Sequence, residues 1–364
     1  MSQAPAALGD HRNDASGTFI ELRRTPLAKP LQCAFESLPG DSMDSVDRRP
    51  SPASIREFGA LMIVRFATFN CGSLLARGED NSTLTLGPER YEAKCRCVAE
   101  TMERIGADVA TLQEVVERDS IERVIEACGS RMRIVAATSP ASRSIRTWLL
   151  SRFPVSDLHV HDDELGLLEW KGERIPHGPS IIDAAIDFGD KAPVRVFVSH
   201  LKSKRSVDPV FGDDFAPKTL AEWASGTLFS TAKRMTQAVR IRRLVDDAFS
   251  RDSDARILLM GDLNDTLGST TLDALVGDHE AARRISLRKQ ELIPVSSALS
   301  RDRRFSHIYR GRRLLLDHIL VSRRLWRGFV RAEIHNEGLE DRSGSIEAIL
   351  GESDHAPVVA DFRL

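Results

Sequence analysis

An acidic and an amide side chain close an apolar segment in the second half of the chain. The segment reads Ile-Leu-Leu-Met-Gly from residue 257, and Asp262 and Asn264 follow it. Side chains at positions i and i+2 of an extended segment point to the same side, so the two would project together. A carboxylate can accept a proton, and an amide can donate to an anion. Because a strand that ends in Gly-Asp is often only a turn, the pair alone predicts little.

Five further apolar segments are interrupted by polar residues of similar types. These are Asn70, Glu114, His200 with Lys202, Asp317, and the run Ser353, Asp354 and His355. Burying such groups is costly unless partners meet them, so we expect them to lie together. Carboxylates, amides and histidines without a cysteine or serine nucleophile suit a hard, oxygen-liganded cation of the magnesium class. The set indicates metal-assisted attack of water on a phosphate ester and does not fit acyl transfer.

In chain order these motifs resemble those of a known superfamily. They are Asn70, QE (113–114), HLKS (200–203), GDLND (261–265), LDHIL (316–320) and SDHAP (353–357). Over residues 62–364 the set resembles the endonuclease/exonuclease/phosphatase superfamily, which has the deoxyribonuclease-I-like fold. The resemblance implies a catalytic domain with an α/β fold, a four-layer sandwich in which two packed mixed β-sheets are flanked by helices.

The resemblance also implies a role for each polar residue. It implies that Mg²⁺ or Mn²⁺ is held by Asn70, Glu114 and Asp354. The catalytic residues that it implies are His200, Asp262, Asn264, Asp317 and His355. Contact with the substrate phosphate is implied for Lys202 and Arg234. Whether Asp262 or His355 takes the proton of the attacking water stays open.

Some of these residues also have interpretations without chemistry. Asn70 would simply cap a turn, and Glu114 would begin one. Next to Asp317, His318 is expected to face the opposite side of its strand and to pack in the core. Because six motifs in order are hard to obtain by coincidence, the catalytic interpretation is favoured for the set.

The substrate class is predicted less directly than the reaction. Within the superfamily that the chain resembles, inositol-polyphosphate phosphatases usually carry a WxGDxN box and a PAW-type motif, whereas this chain has LMGDLND and GESDHAP, so that subfamily is disfavoured. Abasic-site endonucleases usually carry a tyrosine-rich stretch between the second and third motifs, whereas this chain has only Tyr91 and Tyr309, so they are disfavoured too. The motifs HLKSK, RMTQA and GDLNDT are similar to those of bacterial nuclease-like members. A metal-dependent phosphodiesterase that hydrolyses nucleic acid is therefore the expected function. The alternatives are a phosphatase, a sphingomyelinase-like lipid phosphodiesterase, and a catalytically silent binding module.

Charge is balanced over the chain but uneven along it. The formal net charge is -2, which does not by itself indicate a polyanionic partner. Ten arginines lie between residues 301 and 331, against only Asp302 and Asp317. This basic band is expected either to hold a phosphate backbone or to form a solvated face that pairs with acids elsewhere.

Hydrophobic periodicity predicts the elements that must position the site. Helices are expected around residues 95–105, ending at Gly106, around 121–128, and along 235–248, with a short one at 269–276. Strands are expected at 131–138, 146–154, 180–188, 194–201, 255–263, 305–310, 313–322, 329–335 and 356–362. Residues 157–179 are expected to form a polar loop.

The N-terminal region is expected to stand apart from this domain. Residues 1–58 hold six of the sixteen prolines and no sustained periodicity, so a disordered tail is expected. A further hypothesis places the translation start at Met62. No secretory signal is visible, and the five cysteines fit no disulfide framework or metal-ligand spacing, so the expected compartment is the cytoplasm.

Overall fold

The computed structural model describes most of the chain from Met62 onward. The described residues are 62–79, 85–138, 145–162, 169–170, 173–174, 180–189, 192–207, 216–278, 280, 282–342 and 353–364, with backbone only at 169–170 and 173–174. The predicted tail over residues 1–58 lies outside the described residues.

Within these ranges the strands follow the predicted order. They are β1 (Ile63–Leu74), β2 (Ala76–Arg77), β3 (Thr85–Leu86), β4 (Val109–Val115), β5 (Arg133–Ala137), β6 (Arg146–Ser151), β7 (Val155–His161), β8 (Glu169–Trp170), β9 (Glu173–Arg174), β10 (Ile181–Ile186), β11 (Val194–Val198), β12 (Ile257–Asp262), β13 (Leu292–Pro294), β14 (His307–Tyr309), β15 (Arg312–Leu314), β16 (Asp317–Ser322), β17 (Phe329–Ile334) and β18 (Val358–Arg363). The helices are α1 (Pro88–Ile105), α2 (Arg118–Ala127), α3 (Leu220–Arg251), α4 (Thr270–Val276) and α5 (Arg323–Trp326).

Two mixed six-stranded sheets form the centre of the fold. Sheet 1 has the strand order β17-β18-β1-β4-β6-β5, and sheet 2 has the order β13-β16-β12-β11-β10-β7. In sheet 1, β1 pairs parallel with β4 and antiparallel with β18. In sheet 2, β12 pairs parallel with β11 and antiparallel with β16. Each sheet therefore combines parallel and antiparallel neighbours around one central strand, β1 or β12.

Three hydrophobic clusters separate four layers. The first lies between the sheets and includes Phe66 and Val196. The second packs Phe69 of sheet 1 against α1 and α2. The third packs Phe197 of sheet 2 against Ile241 of α3. Because alternate residues of a strand face opposite sides, each central strand is apolar on both faces, and this produces the predicted four-layer sandwich.

Local sequence explains where the helices begin and end. Gly106 terminates α1 with φ 60°, the left-handed conformation that glycine adopts easily, as predicted. Thr219 caps the N-terminus of α3, because its side chain accepts a hydrogen bond from the Glu222 amide. α3 begins at Leu220, well before the helix expected along 235–248. The apolar pattern does not predict its first turns, because they carry exposed residues such as Trp223. Among the described residues no helix is both long and apolar enough to cross a membrane.

Two expectations about strands are wrong in detail. The expected loop from residue 157 begins as strand, because β7 continues to His161 and pairs with β10. β7 is an edge strand, so its outer positions can carry polar residues such as His159. The expected strand over 313–322 is two strands, because the chain leaves the β14–β15 hairpin before β16 joins sheet 2.

Gly261 allows a close approach between β12 and β11. A Cβ atom at Gly261 would lie 1.8 Å from the carbonyl oxygen of Ser199. We expect Gly261→Ala to lower the free energy of unfolding by about 3 kcal/mol or more, since the two strands must separate. At Gly129, where φ is 59° and an added Cβ meets nothing within 4 Å, the same change should cost only about 1 kcal/mol. Equal losses in denaturant titrations of the two variants would contradict this close approach.

Asp361 joins β18 to both neighbouring strands. Its carboxylate accepts hydrogen bonds from Arg65 at 2.7 and 2.9 Å and from Arg331 at 2.7 Å. Burial raises the pKa of Asp361, but the hydrogen bonds and charges of the two arginines outweigh it, so the pKa lies below its usual value. A depressed pKa in the folded state adds stability above the ordinary carboxyl pKa, and this stability is lost as the pH falls through the folded pKa.

We therefore expect Asp361→Asn to cost about 2 kcal/mol of unfolding free energy at neutral pH. The difference from the parent protein should begin to shrink as the pH falls below about 4, where the unfolded chain takes up the proton first, and should be smallest below the folded pKa, where the carboxyl of the folded parent is protonated as well. Denaturant titrations at a series of pH values measure this difference. A difference that stays constant down to the acid limit would show that the charge of Asp361 contributes nothing.

Candidate active site

The predicted polar residues meet at one edge of the two sheets. Asn70 of β1 donates a hydrogen bond to Asp262 of β12 at 3.0 Å, which links sheet 1 to sheet 2. The same amide nitrogen donates to Glu114 of β4 at 3.1 Å. His355, in the segment before β18, contacts Asp317 at the start of β16 at 2.7 Å. Four strands and the approach to a fifth thus bring together groups that are far apart in sequence.

Asn70 lies at the centre of the sheet 1 half of the site. Carboxylate oxygens only accept hydrogen bonds, so the amide nitrogen must face Glu114 and Asp262. The amide oxygen accepts a hydrogen bond from the Gly72 N–H at 2.9 Å. Asn70 therefore presents its nitrogen to the two carboxylates and fixes their positions.

Glu114 is held by a tight turn after Asn70. Its second carboxylate oxygen accepts from the Ser73 amide at 2.9 Å and from the Ser73 hydroxyl at 3.1 Å. A Cβ atom at Gly72 would lie 3.4 Å from a carboxylate oxygen of Asp354. Both acidic residues therefore flank the same short turn. Ser353 secures the other side, because its hydroxyl donates to the Asn70 carbonyl at 2.6 Å and accepts from the His355 amide at 3.0 Å.

Backbone strain accompanies this arrangement. Glu114 has φ 62°, Ser73 has φ 59° and Asn264 has φ 51°, all in the left-handed region that residues other than glycine rarely adopt. The pairing of β1 with β4 shifts register after Asn70, and the pairing of β4 with β6 shifts between Leu112 and Val115. The two bulges turn Glu114 away from the regular alternation of its strand. Strained, non-glycine backbone of this kind is concentrated at functional sites.

Asp317 and His355 form a buried pair in the sheet 2 half. The distance between His355 Nδ1 and Asp317 Oδ2 is 2.7 Å, and Nδ1 must donate because a carboxylate accepts. Ser306 fixes the position of the Asp317 carboxylate. Its hydroxyl donates to Asp317 Oδ2 at 2.7 Å and accepts from the amides of Leu316 and Asp317, each at 3.1 Å.

Asp262 lies between two imidazoles. Its Oδ2 atom is 3.5 Å from His200 Nε2 and 4.0 Å from His355 Nε2. Its Oδ1 atom accepts from the Asn264 amide at 2.9 Å, while the Asn264 side chain donates to the Leu201 carbonyl at 3.0 Å. Asp262 and Asn264 are thus coupled to the segment that carries His200.

Burial and charge shift the proton affinities of this cluster. Burial raises the pKa of Asp262, and the neighbouring Asp317 carboxylate raises it further. Burial alone would lower the pKa of His355, but the charges of Asp317 and Asp262 outweigh it and raise the pKa well above the ordinary value. His318 behaves in the opposite way, because burial lowers its pKa. It packs in the core with Nε2 2.9 Å from the Asp265 carbonyl, as predicted.

The two residues expected to contact the substrate phosphate lie differently. Lys202 has its amide bonded to Gln237 at 2.8 Å and its ammonium 2.9 Å from the Ser203 hydroxyl. Arg234 is buried, donates to Asp265 at 3.2 Å, and also donates to the Lys202 carbonyl at 3.2 Å. Arg234 is therefore not brought to the cleft with the other residues. Its guanidinium supports the loop that carries Lys202.

Three residues without a motif also belong to the site. Ser306 supports Asp317, as described above. His307 lies beside His355 with ring centroids 4.7 Å apart, and its Nδ1 is 3.0 Å from the Asp354 carbonyl. Lys94 of α1 is fully buried; burial lowers its pKa, and the charges of Asp354 and Glu114 partly oppose the shift. The sequence indicates Lys94 only by its position, because a lysine on the apolar face of a predicted helix is unusual.

Comparison with known proteins now places this geometry in a family. The sequence profile of the Endonuclease/Exonuclease/phosphatase family matches residues 67–355, which include every proposed site residue from Asn70 to His355. The chain belongs to this family. No curated protein matches it. The family assignment agrees with the resemblance carried by the motifs.

Solved structures with the same fold include an exonuclease and two TDP2 proteins. The 3′-5′ exonuclease NExo from Neisseria meningitidis is 16% identical, with 83% of this chain and 100% of that chain covered and a TM-score of 0.51. TDP2 from Caenorhabditis elegans is 15% identical, with 83% and 75% covered and a TM-score of 0.50. Humanized TDP2 from D. rerio is 12% identical, with 83% and 99% covered and a TM-score of 0.50. At these identities the likeness shows the fold.

The donors at this family member's site suit a divalent cation. Ligand atoms of Asp262, Asp317 and His355 lie within 4.8 Å of one another, and so do those of His307, Asp354 and His355. Glu114 adds a carboxylate whose Oε1 accepts a hydrogen bond from Asn70 at 3.1 Å, and a carboxylate oxygen with one such bond has a further lone pair for an ion. Carboxylate oxygens are the ligands that hard divalent cations prefer. The residues present therefore fit such an ion.

Ser306 should be essential to the geometry of the pair that it supports. Replacing it with alanine leaves two buried backbone amides without their acceptor and removes a donor to Asp317. We expect Ser306→Ala to lower the free energy of unfolding by about 2 to 3 kcal/mol in denaturant titrations. Ser297→Ala is the matched control, because Ser297 is exposed and donates only to the Pro294 carbonyl. Similar stabilities for the two variants would contradict the supporting role of Ser306.

Proposed function

We propose that the protein is a phosphodiesterase that hydrolyses nucleic acid with a divalent metal ion. The observation that carries the proposal is the contact network around Asp262. This buried carboxylate accepts from Asn70, lies within 4.0 Å of both His200 and His355, and sits opposite Asp317. Such a network places a proton acceptor and two imidazoles around one centre, next to carboxylates that would hold a cation.

Glu114 and Asp354 are the proposed ligands of Mg²⁺ or Mn²⁺. Both flank the Gly72–Ser73 turn, and hard oxygen donors favour these ions over softer metals. Asn70 is proposed to orient the metal ligands, because its amide nitrogen donates to both Glu114 and Asp262. When bound, the ion would polarise the phosphate and stabilise the charge that develops on it.

The imidazoles have distinct proposed roles. His355 donates Nδ1–H to Asp317, and two neighbouring carboxylates favour its protonated form, so Nε2 is a donor to a non-bridging phosphate oxygen. A protonated imidazole cannot accept the proton of the attacking water. We therefore assign that proton to Asp262, whose pKa is raised by burial and by Asp317. His200, on the other side of Asp262, is assigned to the leaving oxygen.

Nucleic acid is the proposed substrate for two reasons. The family includes nucleases, and the neighbour from Neisseria meningitidis is named as an exonuclease. The β14–β15 hairpin beside the site also carries the exposed arginines Arg312 and Arg313, which can attract a phosphate backbone. Lys202, on the loop after His200, is assigned to a substrate phosphate as well.

Substitution of the central residues should abolish cleavage without unfolding the protein. Asp262→Ala and His355→Ala are each expected to lower kcat by about 10²- to 10³-fold.

Glu114→Gln is expected to raise the Mg²⁺ concentration needed for half-maximal rate, whereas Glu117→Gln, three residues away, is the matched control and should leave it unchanged. The assay uses plasmid, single-stranded DNA, RNA, sphingomyelin and a phosphomonoester panel, each with Mg²⁺, Mn²⁺ or EDTA.

The outcomes of this assay separate the functional classes. Cleavage of DNA or RNA that EDTA stops supports the proposal. Cleavage of phosphomonoesters or sphingomyelin alone would replace it with a phosphatase or a lipid phosphodiesterase. Binding of nucleic acid without turnover of any substrate would indicate a silent binding module. Unchanged turnover by Asp262→Ala would remove that residue from the mechanism.

A further inference from the structure

A row of aromatic rings leads outward from the site along the β14–β15 hairpin. His307 lies against His355, with centroids 4.7 Å apart and planes at 33°. Tyr309, two residues further along β14, is nearly parallel to His307, with centroids 6.4 Å apart and planes at 19°. Tyr309 is 46% exposed, so its ring is open to solvent. The row therefore begins at a catalytic imidazole and ends on an accessible aromatic surface.

The hairpin is fixed to the site by backbone contacts. His307 forms a bridge with His355, and the Ala356 amide donates to the Ser306 carbonyl at 2.7 Å. At the tip, Arg310 has φ 50° and Gly311 has φ 74°, the values of a two-residue hairpin turn that matches strand twist. The Gly311 amide donates to Asp341 at 2.6 Å. These contacts hold the ring of Tyr309 at a set distance from the reacting centre.

Positive charge accompanies the rings. The Arg310 guanidinium carbon lies 5.3 Å from the centroid of Tyr309, within the range of a cation–π interaction. The Arg313 guanidinium lies over Phe305 at 4.5 Å, and Arg312 is exposed. A phosphate backbone passing the hairpin would meet these cations.

Other arginines of the basic band are engaged in ion pairs. Arg303 pairs with Glu337, Arg323 with Glu291, Arg324 with Asp254, and Arg331 with Asp361. These pairs fasten the band to the rest of the domain. These four arginines therefore fit the expectation of a face that pairs with acids elsewhere.

We propose that the hairpin is a subsite for an unpaired nucleobase next to the scissile phosphate, with the base stacked on Tyr309. The inference rests on the proposed nuclease function and names its substrate class as single-stranded nucleic acid. Aromatic side chains that stack on bases, combined with cations that follow the backbone, are how proteins bind single strands without sequence readout. Inside a duplex both faces of a base are covered by its neighbours, so such a base must leave the stack before it can lie on Tyr309, whereas an unpaired base need not pay that cost.

Cleavage kinetics of matched substrates test the subsite. The substrates are a single-stranded oligonucleotide, the same strand with the bases replaced by abasic sites around the cleaved position, and the duplex. The variants are Tyr309→Ala, Tyr309→Phe, which keeps the stacking surface, and Trp223→Ala, which removes an exposed aromatic residue on α3 far along the chain.

We expect Tyr309→Ala to raise KM for the single strand roughly tenfold with little change in kcat, and Tyr309→Phe to restore the parent value. The increase in KM caused by Tyr309→Ala should be smaller on the abasic strand and on the duplex. Trp223→Ala should have the KM of the parent protein on every substrate. A penalty of equal size on the abasic strand, or no penalty at all, would overturn the subsite. An equal loss in Tyr309→Phe would also overturn it, because the ring would then not be the cause.

A binding measurement keeps this test separate from the proposed function. A single strand containing 2-aminopurine is titrated with the full protein in EDTA, where stacking on Tyr309 should quench the fluorescence and Tyr309→Ala should remove the quenching. If the parent protein cleaves no nucleic acid but quenches through Tyr309, the nuclease function fails and the subsite stands. If the protein cleaves single strands without Tyr309-dependent quenching, the subsite fails and the nuclease function stands.

Discussion

Two buried carboxylates on neighbouring strands form the constraint on which the site depends. Asp262 and Asp317 are directly opposite each other in the β12–β16 pairing and are 1% and 0% exposed. Two like charges in such a place are strongly unfavourable unless donors and cations surround them. Asn70, Ser306 and the two imidazoles supply those partners. Because they come from both sheets, the same interactions that make the pair tolerable also fasten the sheets together at this edge.

The sequence predicts the layers of the fold and the meeting of the polar residues at the site. Both depend on patterns of apolar and polar residues within single segments. An apolar strand that ends in polar residues requires partners for them, so Asp262, Glu114 and His355 could be expected to meet before any contact was known. Ser306 and His307 could not be found in this way, since their roles arise from a hairpin whose pairing with His355 is set by the fold. The orientation of the Asn70 amide likewise depends on which neighbouring atoms accept its hydrogen bonds. Only the three-dimensional structure shows those neighbours.

Arg234 shows that the fold, and not residue type alone, decides what a guanidinium contacts. Arginine near a catalytic motif is an obvious candidate, yet its guanidinium here is buried against Asp265 and supports the Lys202 carbonyl. Lys204 contacts the same carboxylate at 2.7 Å. Asp265 is thus surrounded by cations, and these hold its pKa low although burial opposes the effect. The fifth residue of the GDLND motif is therefore a structural anchor for the loop, whereas the second residue faces the reacting centre.

The residues assigned to chemistry and those assigned to substrate selection lie on different kinds of segment. The groups assigned to chemistry sit at strand ends, where ladders of hydrogen bonds and strained backbone at Glu114 and Asn264 leave little freedom. Groups that would select a substrate sit on the β14–β15 hairpin and on the loop after His200, which lie outside the two large sheets. Variation on such segments changes recognition without moving the reacting centre. The bridge between His307 and His355 couples the two regions, because the ring that begins the aromatic row also packs on the imidazole assigned to the phosphate. A base stacked on that row would therefore be placed relative to the phosphate by the hairpin that follows Ser306, the residue whose hydroxyl donates to Asp317.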